Sequence, residues 1–131
     1  MAKGTFGTSI NCMDGRVQQP MIDWMTKKFN LDYVDMITEP GPDKILSSGT
    51  PEQLAVVLDK AKISVDKHGS EVIVIMGHDD CAGNPVPKEQ HVADVKKAMQ
   101  VIKGWNLPAA IYGVWMDINW QVEIIYSIEK P

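Results

Sequence analysis

The run Val72-Ile73-Val74-Ile75-Met76 limits what this chain can fold into more than any other stretch. Five consecutive apolar residues are too few for an ordinary globular helix, and they lack the alternation of a strand with one wet face. They fit a strand covered on both faces, as in a parallel sheet flanked by helices. The preceding residues supply the other elements such a sheet needs. Residues 5–11 form a weak strand candidate, with Phe6, Thr8 and Ile10 on alternate positions. Over residues 20–29, Met21, Ile22, Met25 and Phe29 share one helical face; Pro20 suits a first turn, and Lys27 and Lys28 suit the negative end of the helix dipole. Residues 33–37 make a second short strand, and Glu39-Pro40-Gly41-Pro42 reads as loop.

The next helix carries the clearest punctuation. Thr50 can cap it, Pro51 takes the first helical position and Gln53 completes a capping box. Leu54, Val57, Leu58, Ala61 and Val65 repeat at helical spacing before Gly69 supplies the stop. A third helix is expected over residues 88–103, with Val92, Val95, Met99 and Ile102 on one face and Gly104 at its end. Residues 109–116 give a fourth strand. In the last strand Trp120, Val122, Ile124, Tyr126 and Ile128 alternate with mostly polar residues, which predicts an edge strand or a subunit contact. The succession predicts an α/β fold: a mainly parallel four-stranded sheet with helices on both faces and a fifth edge strand. No repeat, low-complexity tract or linker interrupts it, so residues 1–131 are expected to form one domain.

Composition then removes whole classes of function. With 13 basic residues against 17 acidic and a net charge of -4, the chain lacks the basic footprint of a nucleic-acid binder. No run of about 18 apolar residues is present, so no membrane-spanning helix is expected. The first twelve residues are too polar for a signal-peptide core, which makes the cytoplasm the expected compartment. Only two cysteines occur, Cys12 and Cys81, so a disulfide scaffold is not expected and a metal or redox role is.

In open parallel sheets, ligands bind beyond the carboxyl ends of the strands, where the strand order reverses. Two loops at such ends carry chemistry: Asn11-Cys12-Met13-Asp14-Gly15-Arg16 after the first strand, and Gly77-His78-Asp79-Asp80-Cys81-Ala82-Gly83 after the third. Singly, each cysteine reads as readily as a small buried hydrophobe. If the two strands are neighbours, Cys12, His78 and Cys81 converge as a catalytic-type zinc set with a fourth position open to water or substrate. Thiolates favour zinc over magnesium or calcium. Gly15 and Gly83 are expected to let the backbone turn sharply near the metal. Arg16 can hold the Asp14 carboxylate by a bidentate contact; Asp14 can then accept a hydrogen bond from the fourth ligand or occupy that position itself.

These motifs, Cys12-Met13-Asp14-Gly15-Arg16 and His78-Asp79-Asp80-Cys81, resemble the Cys-x-Asp-x-Arg and His-x-x-Cys signatures of the β-class carbonic anhydrases. Val17 after the arginine, the run before His78 and the stretch Gly113-Val114-Trp115-Met116-Asp117 are also similar to family features, and the resemblance spans residues 10–125. It implies Zn2+ held by Cys12, His78 and Cys81, an Asp14–Arg16 dyad beside the reacting water, and reversible hydration of carbon dioxide to bicarbonate by a zinc-bound hydroxide. It further implies a small-molecule substrate and a homodimer or higher homo-oligomer. Related members with the same zinc site hydrolyse carbonyl sulfide or carbon disulfide.

The chain departs from the family pattern in three places. The first strand begins without the family's N-terminal helices; the usual Arg-Asn-Ala-Gly-Asn segment is replaced by Thr38-Glu39-Pro40-Gly41-Pro42-Asp43; and Gln18-Gln19 stand where Pro-Glu is usual. Three other readings therefore stay open: a zinc hydrolase of another small electrophile, a non-catalytic zinc-stabilised binding or assembly domain, and a reversible Cys12–Cys81 disulfide. Other residues receive structural expectations. His68 should face a helix end, His91 should face solvent near the start of the third helix, and Asp79 and Asp80 should favour the first turn of a helix following His78. Asp117 should sit in a turn, Met13 could line the pocket, and Trp24, Trp105, Trp115 and Trp120 should be core and interface mass.

Overall fold

The computed structural model describes residues 2–131. Its elements are β1 (Phe6–Cys12), α1 (Gly15–Phe29), β2 (Tyr33–Glu39), α2 (Pro42–Ser48), α3 (Pro51–Lys62), a π-helical turn (Ile63–Lys67), β3 (Val72–His78), α4 (Lys88–Gly104), β4 (Ala110–Met116) and β5 (Val122–Ile128). The five strands form one sheet in the order β2-β1-β3-β4-β5. Parallel pairing joins the first four, and β5 runs antiparallel along β4. This is the α/β architecture expected from the alternating pattern, with β3 buried at every position.

Each face of the sheet has its own core. Val17, Met21 and Met25 of α1 pack with Val72, Val74, Met76 and Val114 on one face. Leu46 of α2, Val57 and Ala61 of α3, Val65 of the π-helical turn, and Val95, Ala98, Met99 and Ile102 of α4 cover Ile10, Ile37, Ile73 and Ile75 on the other. After β1 the chain pairs β2 on one side and then returns to place β3 on the other, so the order reverses between β1 and β3. Pairing across that junction spans only Thr8–Ile10 against Ile73–Ile75, whereas β3 and β4 pair from Val72 to His78. The carboxyl ends of β1 and β3 therefore lack a shared ladder, which leaves room between them.

Several local expectations are corrected. α1 begins at Gly15 rather than Pro20, because the Asp14 carboxylate accepts the backbone N–H of Arg16 and caps the helix five residues earlier. Pro20 thus lies inside the helix, where it removes the one backbone bond that would reach the Arg16 carbonyl. The expected loop over residues 39–42 leads straight into α2, a helix the sequence did not suggest: Gly41 turns with φ 59° and Pro42 opens the helix. The capping box at Thr50 is present, with both reciprocal bonds to Gln53. The alternation of β5 is broken at a bulge, where Tyr126 faces Gly113 and Ile124 faces Val114. The extra residue, Ile125, packs on the core while Ile124 and Tyr126 stay exposed.

His68 closes the π-helical turn as expected of a helix-end histidine, and its Nδ1 also lies 2.7 Å from Asp35 Oδ2. The same carboxylate oxygen accepts from Ser64, which joins Thr8 and Ser70 in a buried hydroxyl chain. No helix starts directly after His78: Asp79 and Asp80 form a turn, with Asp80 at φ 55°. Asp117 is a turn residue as anticipated, accepting the backbone N–H groups of Asn119 and Gln121.

Candidate metal centre

β1 ends in Cys12, β3 ends in His78, and Cys81 follows in the turn beyond β3. Among the described residues these three form a group whose ligand atoms all lie within 4.8 Å of one another. All are buried, at 3% exposure for Cys12, 1% for His78 and 4% for Cys81. The two sulfurs are 3.9 Å apart. Two thiolates about 2.3 Å from a tetrahedral zinc stand roughly 3.8 Å from each other, so the spacing matches a shared ion. A disulfide needs about 2.05 Å, and both cysteines are free thiols here.

The histidine is oriented for the same purpose. His78 Nδ1 lies 2.7 Å from the Asp79 carbonyl, which accepts its N–H. That bond leaves Nε2 as the lone-pair nitrogen, and Nε2 is buried with no hydrogen-bond partner. A metal-ligating imidazole anchored through its other nitrogen has this arrangement. The donor set of two sulfurs and one nitrogen fits zinc, and three ligands leave a fourth position free.

Electrostatics support the same geometry. The Cys12 thiol is drawn down to about 3, chiefly by the hydrogen bond from Cys81; burial opposes this, and His78 and the backbone N–H groups of Gly41 and Asp14 add to it. Cys81 is pushed far above the usual thiol range by the same contact and by burial, against the N–H groups of Asn84 and Gly83. Burial pushes the His78 imidazole down, but the neighbouring Cys12 sulfur and the Asp79 carbonyl raise it overall. Two thiols this close share a proton that a bound cation would displace.

The turn after β2 and the Cys81 turn meet through glycines. A Cβ on Gly41 would lie 2.6 Å from the Gly83 carbonyl carbon, and one on Gly83 would lie 2.4 Å from the Pro40 carbonyl carbon. Only glycine permits this backbone approach, which brings N–H donors toward both sulfurs. Gly15 has open space around its Cα and no such part to play, so the expectation for that residue is not met.

At the mouth, Arg16 grips Asp14 through Nε to both carboxylate oxygens at 3.1 Å and through Nη2 to Oδ2 at 2.6 Å. The Arg16 guanidinium beside it holds the Asp14 carboxyl down at about 2. Arg16 also donates Nη1 to Asp80 Oδ2 and Nη2 to the Asp80 carbonyl, tying the first loop to the second. Asp14 lies outside the close-packed ligand group, with both oxygens turned to arginine.

Two contributors were missed in the sequence. Gln18 donates Nε2 to the carbonyls of Cys12 and Asp14, and its Oε1 accepts from Asn11, so it fixes the turn that carries Cys12. Its position one helical turn after Asp14 was the available signal. Trp120, expected among core and interface mass, lies outside the core: it is exposed at φ 62°, and its ring lies 5.5 Å from the Arg16 guanidinium carbon. Arg16, Asp79, Asp80, Ile118 and Trp120 line a cleft of about 390 Å³ there. Met13 is 62% exposed and lines no part of that cleft. His91, expected in solvent, is buried at 1% exposure with Nδ1 2.6 Å from Asp43 Oδ2. It occupies the inward face of α4, in line with Val95, Met99 and Ile102, rather than the neighbouring outward one.

Known proteins share this fold. The chain is similar to a solved structure described as one of two tetrameric β-carbonic anhydrases from the filamentous ascomycete Sordaria macrospora. That likeness has a TM-score of 0.58 and 14% identity, over 97% of this chain and 84% of the other. The β-carbonic anhydrase CafA of the fungal pathogen Aspergillus fumigatus is similar at a TM-score of 0.47 and 16% identity, over 89% of this chain and 73% of the other. No curated protein sequence matches the chain. A family model described as "Putative carbonic anhydrase" matches residues 2–126. By that match over nearly its whole length, the chain belongs to this carbonic anhydrase family.

Proposed function

We propose that the protein is a zinc lyase that reversibly hydrates carbon dioxide to bicarbonate and a proton. Cys12, His78 and Cys81 are the metal ligands in this reading, and Asp14 and Arg16 the pair beside the reacting water. The observation that carries it is the meeting of two sulfurs 3.9 Å apart with the buried, unpartnered Nε2 of His78. Zinc, when bound, supplies the Lewis acidity that makes a water nucleophilic near neutral pH.

The chain's own residues supply the rest. Asp14, kept ionised by Arg16, would be the acceptor for a hydrogen bond from that water. Both oxygens of Asp14 accept from Arg16, and the carboxylate keeps a lone pair for the water. Arg16 in turn is braced by Asp80 and by the face of Trp120. Ile118 and Trp120 give the cleft an apolar wall suited to a small uncharged substrate. We further read residues 1–131 as one domain, acting in the cytoplasm as a homo-oligomer. The exposed Ile124 and Tyr126 on the edge strand β5 support the last point, as does the tetrameric assembly named for the similar fungal enzyme.

Metal analysis combined with stopped-flow hydration tests the proposal. About one zinc per chain is expected, with carbon dioxide hydration that disappears together with the metal in His78→Ala. Stoichiometric zinc without hydration at neutral and alkaline pH overturns the catalytic assignment.

A further inference from the structure

Beneath the metal ligands lies a second buried polar group that the proposed chemistry does not use. Asp43, the second residue of α2, is 0% exposed, and His91 in α4 is 1% exposed. His91 Nδ1 stands 2.6 Å from Asp43 Oδ2, so its N–H donates to the carboxylate. The remaining atoms of the pair, Asp43 Oδ1 and His91 Nε2, are buried without partners. Such a pair is costly. Replacing a buried ionic pair by apolar groups of similar volume is often neutral or stabilising, and each unpartnered buried atom adds a desolvation penalty. The pair is therefore a poor device for stability. What it adds over an apolar contact is direction.

That direction bears on the metal centre from below. A Cβ on Gly77 would lie 2.9 Å from Asp43 Oδ2 and 3.0 Å from His91 Nδ1, so the pair presses on the backbone immediately before His78. Asp43 follows Gly41 by two residues, and Gly41 meets the Gly83 backbone of the Cys81 turn. On the other side, Asn84 is 2% exposed and places its amide nitrogen 3.5 Å from His91 Nδ1 while donating to Asp94 Oδ2 at 3.0 Å. The Asn84 N–H turns back to the Cys81 carbonyl at 3.3 Å and closes the turn that carries Cys81. The His91 ring is itself fixed against Trp115, with centroids 5.3 Å apart.

We propose that Asp43 and His91 are positioning residues for the metal centre: their directional bond locks α2 to α4 under Gly77 and so sets the register in which the Gly41 turn meets Gly83 of the Cys81 turn. Asn84 and Asp94 transmit that register to the Cys81 turn. The inference rests on the reading of Cys12, His78 and Cys81 as metal ligands, and its test separates the two.

The full chain is loaded with cobalt(II), whose visible bands report thiolate ligation and geometry, and its affinity is measured by competition with a chromophoric chelator. His91→Phe and Asp43→Leu are each expected to weaken cobalt affinity about tenfold and to shift the ligand-field bands. The double variant, which leaves neither a buried charge nor an unpaired nitrogen, is expected to regain thermal stability without regaining affinity or the wild-type spectrum. Asp94→Ala, at a half-buried position that leaves the pair intact, should give a smaller loss in the same direction. Should a single variant fail to fold, the double variant and Asp94→Ala decide the matter. Folded variants with wild-type affinity and spectrum overturn the inference alone, as does a double variant that recovers both. A wild-type chain that takes up no cobalt overturns the ligand assignment and this inference with it.

Discussion

The sulfurs of Cys12 and Cys81 lie 3.9 Å apart although 69 positions separate the two residues. Neither is close enough for a disulfide, and both are buried at the ends of neighbouring strands. The first prediction follows from that gap. With metal bound, both thiols should resist alkylation and oxidation. After chelation, a mild disulfide oxidant should link Cys12 to Cys81, because the sulfurs need close by only about 1.9 Å to reach bonding length. Mass spectrometry of the chelated and metal-loaded protein checks this; equal oxidation of both forms contradicts a shared ion.

Asp14 carries a pH prediction with a definite sign. Its folded value, about 2, lies below the ordinary 3.8, so as pH falls the unfolded chain takes up this proton before the folded one does. The stabilisation is fully present above 3.8 and is lost as pH drops from there toward 2. Arg16→Met removes the cause, so the variant should lose less stability over that interval than the wild type. Urea unfolding at a series of acid pH values measures it, and parallel pH curves for the two proteins refute it.

Trp120 braces Arg16 from the solvent side, with the guanidinium carbon 5.5 Å from the ring centroid. An exposed contact of this kind contributes about 0.5–1 kcal/mol. Trp120→Ala should therefore lower carbon dioxide hydration by roughly two- to fivefold while metal content and affinity stay unchanged. Loss of metal in that variant would show that Trp120 holds the ligands rather than the Arg16–Asp14 pair.

The unpaired edge of β5 presents Ile124 and Tyr126, which are 38% and 54% exposed. A paired Ile124→Lys and Tyr126→Lys substitution should shift sedimentation toward the single chain and leave the far-UV spectrum intact. An unchanged sedimentation coefficient removes β5 from any subunit contact.

Much of the candidate centre was legible because strand ends are legible. The apolar run before Gly77 marks a central strand, and a ligand-bearing loop after such a strand has one place to go. Asp14 and Arg16 are two residues apart, so their pairing is local chemistry. His91 was misread for a specific reason. Four residues before Val95 and eight before Met99, it shares their helical face, but a face shifted by one residue through Val92 fits the periodicity almost as well. Only the packing of α2 against α4 decides between them, since Asp43 is the partner that makes a buried histidine tolerable. The helix α2 escaped notice because Glu39-Pro40-Gly41-Pro42 has the composition of a turn, and seven residues are too few to show a period.

The sequence by itself determined the class of fold, the strands whose ends bear Cys12 and His78, and the donor types that favour zinc. Those follow from local periodicity and from the chemistry of sulfur and imidazole, which need no partner to be read. Tertiary structure alone decided that β1 and β3 lie side by side, that the sulfurs stand one ion apart, and that Gly41 meets Gly83. It also decided that Trp120 turns to Arg16 and His91 to Asp43. Each is a contact between residues far apart in the chain, set by how helices and strands pack, and packing is a property of the whole core rather than of any segment.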